Sequence, residues 1–397
     1  MRLTVPANYD PSILPGLKAS GTFEIYGKLP SDVVGGGRPS YMTTPLSKRS
    51  LSSYIGEVHK QGMEFNYLLN SACLGNEEWT KKFHKELDKL LHWLTEVKVD
   101  TVTVSIPYLA QVIKARFPHF KLKAGIYAQI DTVKRAKYWE DLGADAINLA
   151  SFSINRDLET LQAIRQAVKT DLVLIANHFC QPNCPYQLHH QNGHAHASHH
   201  NPKFLIDYPI IQCQKNRLTN PWLFIAAGWI RPEDIKHYEQ MGYSTFKLLE
   251  RNIPSENLLQ RVQAYHEGKF EGNLADLLLS WGFKKKAPKY SLVHMARYFR
   301  FWKMPPRLAG TSLSFLQDQG MFFPKETNPI VIDTSAIPDN FMEKFRSGSC
   351  RDQLCSTCGY CERIAKKAVT ISPEFLQNIL PVYDKLEQEL TGGSAWR

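Results

Sequence analysis

The chain has 397 residues, of which 43% are hydrophobic and 11% aromatic, a length and composition typical of a globular protein with one large domain and a smaller one. Lys and Arg outnumber Asp and Glu by 48 to 38, which gives a net charge of +10. The first twenty residues lack the apolar core of a secretory signal, and no apolar run approaches the roughly 18 residues of a membrane span. The sequence therefore predicts a cytoplasmic protein without a transmembrane segment.

Short apolar strands alternate with amphipathic helices between residues 20 and 265. The predicted strands cover residues 22–27, 63–69, 101–106, 121–128, 146–150, 171–176, 223–227 and 244–249. The clearest predicted helices, 131–142, 157–168 and 231–241, carry apolar residues at helical spacing. Eight strand–helix units favour an α/β fold of the (β/α)8 TIM-like barrel type over the alternative, a doubly wound open sheet.

The alternation ends near residue 268, so the sequence predicts three regions. These are a barrel with cluster-binding loops (1–268), a basic aromatic connecting segment (269–340) and a small cysteine-rich C-terminal extension (341–397). Within the second region, residues 281–307 contain eight Lys and Arg residues, interleaved aromatic residues and no acid. Such a segment could bind RNA or an anionic membrane surface, or could simply connect the two regions that flank it.

The eight cysteines form two sets of four, which is the ligand count of two tetrahedral metal centres. The dispersed set comprises Cys73, Cys180, Cys184 and Cys213. In a reducing compartment, clustered cysteines bind metal more often than they form disulfides. Because the loops that follow barrel strands meet at the C-terminal face, these thiols are expected to converge there on a [4Fe–4S] cluster. In the alternative, Cys73 is a small buried hydrophobe, which leaves three thiols and one open iron.

The connection after the predicted strand 171–176 is unusually long, from residue 178 to about residue 221. A connection of this length inside a compact domain is usually functional. It contains seven histidines, which are His178, His189, His190, His194, His196, His199 and His200. Their spacing matches no specific zinc pattern, and they could be either metal ligands or polar loop residues. His178 is a candidate catalytic acid or base.

The compact cysteine set lies in the C-terminal extension. Cys350, Cys355, Cys358 and Cys361 fall within twelve residues. Short spacers allow the backbone to wrap a [4Fe–4S] cluster with one thiolate on each iron. A structural zinc site, the alternative, more often uses two well-separated knuckles.

Glycines and arginines mark the expected barrel mouth. The first predicted strand leads into Gly35-Gly36-Gly37-Arg38, whose backbone could form a nest for an anion. The last predicted strand ends at Glu250-Arg251. Closure of the barrel would place these two strands side by side, so Arg38 and Arg251 are candidate ligands for a carboxylate-bearing substrate. The alternative is a structural Arg–Glu pair.

These motifs together resemble the collagenase-like peptidase family U32. The resemblance covers about residues 20–265 and is carried by FEIYGKL (23–29), GGGR (35–38), FNYLLNSACLGN (65–76), HFCQPNCPY (178–186) and FKLLER (246–251). It implies a barrel with a cluster bound by four cysteines and, for several members, oxygen-independent hydroxylation of ubiquinone precursors or RNA bases, with prephenate as oxygen source in some. Cys180, Cys184 and Cys213 match the cluster motif, and Cys73 resembles the early cysteine of one ubiquinone-pathway branch. Cys180 and Cys184 are spaced differently from the commoner family motif, and those hydroxylases lack the motif Cys350–Cys361. Both differences indicate a distinct subfamily.

Three functions follow from these observations. The first is an iron–sulfur redox enzyme of the hydroxylase type, which acts on an anionic small molecule or oxygen donor and receives electrons through the tail cluster from a donor or partner subunit. The second is an RNA modification factor that binds tRNA or ribosomal RNA through residues 281–307. The third is a metal-dependent peptidase with zinc on the histidine-rich connection, although the sequence has no serine nucleophile elbow, HExxH motif or convincing Cys–His pair.

Overall fold

The computed structural model describes residues 1–40, 43–200, 206–250, 253–278, 308, 328–346, 348, 350 and 353–396. The basic aromatic stretch 281–307 and Arg251 lie outside the described residues, so the hypotheses that depend on them stay predictions. Within the described ranges, none of the helices combines the length and the apolar character needed to cross a membrane.

Eight parallel strands form a closed barrel, which confirms the predicted (β/α)8 fold. The strands are β1 Arg2–Pro6, β2 Thr22–Gly27, β3 Glu64–Leu69, β4 Thr101–Val104, β5 Lys121–Ala124, β6 Ala146–Asn148, β7 Asp171–Ile175 and β8 Thr245–Lys247. Closure is made by β1 and β8, where Arg2 pairs with Thr245 and Thr4 with Lys247.

The eight strands differ in two places from those predicted. The first strand, β1, was not predicted, and most of the predicted strand 223–227 lies in the helix Trp222–Ala226, which ends one residue before Ala227. A short continuous apolar run does not distinguish a buried strand from a buried helix, which explains the second error. Because β1 lies between β2 and β8, the first and last predicted strands are not neighbours. The adjacency from which the Arg38 and Arg251 pair was inferred is therefore absent.

Helices surround the barrel. Those between or after the strands are Leu14–Ala19, Lys48–Lys60, Lys81–Glu96, Pro107–Arg116, Val133–Asp141, Ser151–Ile154, Leu158–Ala167, Ile235–Glu239, Ser255–Glu267 and Ala275–Leu278, with single 3-10 turns at Pro11–Ile13, Glu77–Trp79, Ile126–Ala128 and Pro232–Asp234. The helix Lys81–Glu96 illustrates how the sequence positions these helices. It begins where the Thr80 hydroxyl accepts a hydrogen bond from the Phe83 amide, and its buried leucines all face the barrel core.

The long connection after β7, residues 178–221, is called the insertion below. It contains two helices, Gln187–Ala197 (the capping helix) and Tyr208–Thr219 (the second insertion helix). The Gly36 amide donates to Ser198 Oγ at 2.7 Å, and Gln129 Nε2 donates to Gln191 Oε1 at 3.2 Å. Gly36 and Gln129 follow β2 and β5, so the insertion lies across the C-terminal end of the barrel.

The described residues from 328 onward, called the tail below, fold against the barrel. They form the antiparallel pair β9 Ile330–Ile332 and β10 Val369–Ile371, the helices Glu343–Arg346, Cys355–Cys358, Tyr360–Ala368 and Pro373–Thr391, and 3-10 turns at Thr334–Ala336 and Ser394–Trp396. The Phe341 ring stacks on the barrel residue Trp229, with centroids 5.4 Å apart and planes 12° from parallel. Lys215 of the second insertion helix contacts Asp384 at 2.7 Å. The tail thus packs on the barrel and on the insertion.

Candidate functional site

Three of the four dispersed cysteines lie close together at the barrel mouth. Cys180 and Cys184 follow β7, and Cys213 lies on the second insertion helix. Cys184 and Cys213 line one cavity of about 260 Å³, and the charges of Cys213 and Cys184 both act on Cys180. Burial raises the pKa of Cys180 to about 12 and also raises the pKa of Cys213. As free thiols Cys180 and Cys213 would therefore be protonated at neutral pH, and a bound metal would deprotonate them.

A buried arginine accompanies these thiols. Arg217 is 2% exposed, lies 4.0 Å from the centre of the Phe179 ring and donates to the Phe179 carbonyl. Its charge lowers the pKa of both Cys180 and Cys213. No carboxylate in the described part of the chain forms an ion pair with it, although buried arginines are usually paired.

Cys73 lies on a different side of the mouth. Its sulfur accepts a hydrogen bond from the Gly75 amide at 3.3 Å, and Gly75 packs against the ring of His196. None of the contacts between described residues joins Cys73 to the other three thiols. Its role as a fourth ligand therefore stays a prediction.

His178 is held in a neutral state. Its Nδ1 lies 3.0 Å from Ser151 Oγ. Burial and, to a smaller extent, the charge of Arg217 together lower its pKa to about 3. A neutral imidazole of this kind can hold a hydrogen bond at neutral pH but is a weak base. Its assignment as a catalytic acid or base stays a prediction.

Arg38 pairs with Glu250 at the mouth. The two side chains make a bidentate contact, with Arg38 Nη1–Glu250 Oε1 at 2.7 Å and Arg38 Nη2–Glu250 Oε2 at 2.8 Å. This is the Arg–Glu pair that the sequence left open as the alternative. Glu250 has φ +95°, a left-handed backbone conformation that is uncommon for residues other than glycine and is often found at functional sites.

The expected anion nest comprises Gly35, Gly36 and Gly37. The Gly35 amide donates to Asp32 Oδ1 at 2.7 Å, and the Gly36 amide donates to Ser198 Oγ. The glycines also allow a close approach, because a Cβ on Gly35 would lie 2.8 Å from the Ala195 carbonyl of the capping helix. The amides of Gly35 and Gly36 thus bond within the chain, and both glycines contact the insertion, so the anion nest stays a prediction.

Four of the seven histidines of the insertion form two groups with acidic residues. His190 and His194 meet at Asp207, while His199 and His200 lie near Glu77. Burial raises the pKa of Asp207, but the charges of His190 and His194 outweigh burial and hold it below its usual range. Burial and the charge of His190 lower the pKa of His194. The sequence showed the histidines but not their acidic partners. The i, i+4 spacing of His190 and His194 was the one available signal, and it lay in a stretch predicted as a loop.

All four tail cysteines line one cavity. Cys350, Cys355, Cys358 and Cys361 surround a space of about 190 Å³, which is far larger than the roughly 10–15 Å³ that one water needs. Burial and the charges of the other three thiols outweigh the opposing charge of Arg156 and raise the pKa of Cys361 to about 11. Across the described residues, no three cysteine sulfurs lie within 4.8 Å of one another. A tetrahedral zinc ion with bonds of about 2.3 Å would hold its sulfurs about 3.8 Å apart, whereas a cluster spreads them over separate irons.

A second buried arginine lies near two of the tail thiols, Cys350 and Cys361. Arg156 belongs to the barrel and stacks on Trp229 and Phe341, at 4.3 and 4.9 Å from the ring centres. Its pKa is lowered by burial and raised by the charges of Cys361 and Cys350. It donates to two backbone carbonyls, and its Nε has no partner. No described carboxylate forms an ion pair with it.

Comparison with known proteins identifies the family. The model of peptidase family U32 matches residues 40–269, more than half of the chain. A Methanocaldococcus jannaschii protein described as an uncharacterized protease is 27% identical over 350 residues, which cover 88% of this chain and 90% of that protein. The solved structure of the U32 peptidase Mk0906 is 19% identical over 63% of this chain and 93% of its own, with a TM-score of 0.46. Phosphoribosyl anthranilate isomerase from Thermus thermophilus is 10% identical over 68% of this chain and 98% of its own, with a TM-score of 0.37. As its motifs predicted, the chain belongs to peptidase family U32.

Proposed function

We propose that this chain is an iron–sulfur-dependent redox enzyme of the oxygen-independent hydroxylase type, with its reactive centre at the barrel mouth. One observation carries the proposal: each thiol set lies beside a buried arginine that no described carboxylate neutralises, Arg217 at the mouth and Arg156 at the tail. A buried charge is costly unless it is paired. Thiolates that bind a metal centre are deprotonated and bring negative charge, so an anionic cluster would pair each arginine.

In this proposal Cys180, Cys184 and Cys213 hold a [4Fe–4S] cluster, with Cys73 as fourth ligand or, without it, one iron open to substrate. The four tail cysteines hold a second [4Fe–4S] cluster, for which zinc is the alternative. Bound clusters supply one-electron transfer.

The remaining residues of the mouth prepare the site for an anionic substrate or oxygen donor. Arg38 would exchange Glu250 for the anion, and Arg251 is the proposed second cation. The insertion, which crosses the barrel end, would exclude water. Neutral His178 would hold its hydrogen bond to Ser151 throughout. An electron donor or partner subunit would act through the tail.

Anaerobic reconstitution tests the proposal. The wild-type protein should bind about eight iron and eight sulfide ions and absorb broadly in the visible, as expected for two [4Fe–4S] clusters. Cys180→Ala should lose the mouth cluster and keep the tail cluster, and Cys358→Ala should do the reverse. Each variant should therefore bind about half of the iron and half of the sulfide. Zinc without sulfide in the wild-type protein would refute the proposal. Cys73→Ala decides the fourth ligand, because it loses the mouth cluster only if Cys73 binds iron.

A further inference from the structure

The insertion brings two imidazoles and a carboxylate to one point. His190 Nε2 lies 3.1 Å and His194 Nε2 lies 2.9 Å from the same oxygen, Oδ2 of Asp207. All three atoms fall within 4.8 Å of one another. The side chains are 26%, 13% and 11% exposed in that order, so solvent reaches the group only in part.

Two helices fix the three side chains. His190 and His194 are one turn apart on the capping helix, and their ring centres are 4.2 Å apart. Asp207 caps the second insertion helix, where its Oδ1 accepts a hydrogen bond from the Ile210 amide at 3.3 Å. One carboxylate oxygen thus orients the group while the other faces both imidazoles, which is the arrangement of a metal-ligating carboxylate held by a hydrogen bond.

We propose that His190, His194 and Asp207 bind a divalent transition metal ion. Two imidazole nitrogens and one carboxylate oxygen with open positions form a donor set used by catalytic zinc and by non-haem iron. Bonds of about 2.0–2.1 Å in a tetrahedron would hold the ligand atoms about 3.3 Å apart. The observed separations of 2.9 and 3.1 Å would need to widen by only a few tenths of an ångström.

The His190, His194 and Asp207 group lies near other residues of the barrel mouth. The charge of Arg38 acts on His194, and the charge of Asp207 acts on Cys213. The ion would therefore lie near both the Arg38–Glu250 pair and the mouth thiol Cys213. The second histidine group is looser, since His199 Nε2 is 3.7 Å from Glu77, whose side chain is 48% exposed. The proposal does not extend to it, and it does not depend on the iron–sulfur clusters.

Titration of the full-length protein with Co²⁺ tests this site. Cobalt bound by nitrogen and oxygen shows ligand-field absorption without the thiolate charge-transfer bands of a cysteine site, so the two kinds of site are distinguished whether or not clusters have been assembled. The wild-type protein should bind one equivalent of this thiolate-free cobalt. His190→Ala/His194→Ala should lose it. His189→Ala, which removes an exposed histidine of the same helix, should keep it.

A milder variant guards against misfolding. Asp207→Asn keeps a residue that caps helices well and removes the charged ligand. Because loss of a mere supporting hydrogen bond typically lowers metal affinity about 10–100-fold, loss of the ligand should weaken Co²⁺ at least tenfold. Equal cobalt binding by the wild-type protein and His190→Ala/His194→Ala would overturn the proposal. The proposal would also be overturned if cobalt bound to the wild-type protein showed only the bands of thiolate ligands. The two histidines and Asp207 would then form hydrogen bonds without binding a metal.

Discussion

Glu24 and Lys123 form an ion pair inside the barrel, where both side chains are at most 5% exposed and the Nζ–Oε1 distance is 2.7 Å. Thr4 and Asn66 also donate to Glu24 Oε1. Glu24→Gln should cost about 3–5 kcal/mol of unfolding free energy, because it leaves a buried ammonium without a countercharge. Urea denaturation measures the loss. Glu24→Gln/Lys123→Met should recover most of it, and a double variant as unstable as the single one would contradict the explanation.

The same pair predicts a pH dependence. Burial raises the pKa of Glu24, but the charge of Lys123 and the hydrogen bonds to Glu24 outweigh burial and hold the pKa below its ordinary value of 4.5. The unfolded chain therefore takes up a proton at higher pH than the folded chain. The stabilisation is complete above pH 4.5 and is lost as pH falls below it. The difference in stability between wild type and Glu24→Gln should narrow in that range, and a constant difference would contradict the assignment.

At the level of single residues, the sequence shows the cysteines but not the residues that surround them. Cysteine spacing is visible in a sequence, and Cys180, Cys184 and Cys213 do lie together. Arg156 and Arg217 belong to no sequence motif. Each is notable because it is buried and forms no ion pair with a described carboxylate. That property exists only once the chain has folded. Asp207 escaped notice for the same reason, since it lies 13 residues from His194.

Substitution of Gly35 tests whether the capping helix packs on the loop that contains Gly35, Gly36 and Gly37. Both Gly35 and Gly62 have positive φ, +76° and +66°, so alanine at either position should cost about 1–2 kcal/mol in backbone strain. Only Gly35 also abuts the insertion, where a Cβ would meet the Ala195 carbonyl at 2.8 Å; the nearest atom to a Cβ on Gly62 is 3.9 Å away. Gly35→Ala should therefore cost more and expose the insertion to protease. Equal stability and equal protease resistance of the two variants would show that the helix does not rest on this loop.

Elements with strong periodic patterns were predicted, and those without them were not. The helix Val133–Asp141 matches the predicted 131–142, and Leu158–Ala167 matches 157–168. The capping helix was missed because its sequence, QLHHQNGHAHA, has no apolar stripe and contains a glycine. Strand β1, Arg2–Pro6, was missed as well. Its identity depends on pairing with β2 and β8, which a local pattern cannot reveal.

Barrel and tail share one aromatic junction. Phe341 of the tail lies between Trp229 of the barrel and Tyr360, with ring centres 5.4 and 5.9 Å away, and the Arg156 guanidinium lies 4.9 Å from its ring. The barrel thus contributes the cation beside the tail thiols. The tail in turn covers Trp229, which is 1% exposed. The proposed regions of the sequence are therefore joined by packing as well as by the chain.

Phe341→Ala should consequently loosen the tail from the barrel. Truncation of a buried phenylalanine costs about 3–5 kcal/mol, and here the loss falls on the junction. We expect tail cleavage at protease concentrations that leave the wild-type protein intact, together with a change in tryptophan fluorescence as water reaches Trp229. Leu354→Ala is the matched control, because Leu354 is a tail residue whose side chain is 75% exposed, and it should change stability by less than about 0.5 kcal/mol. If Phe341→Ala resists protease as well as Leu354→Ala does, the tail is held mainly by other contacts, such as those of Lys215 with Asp384 and Glu387.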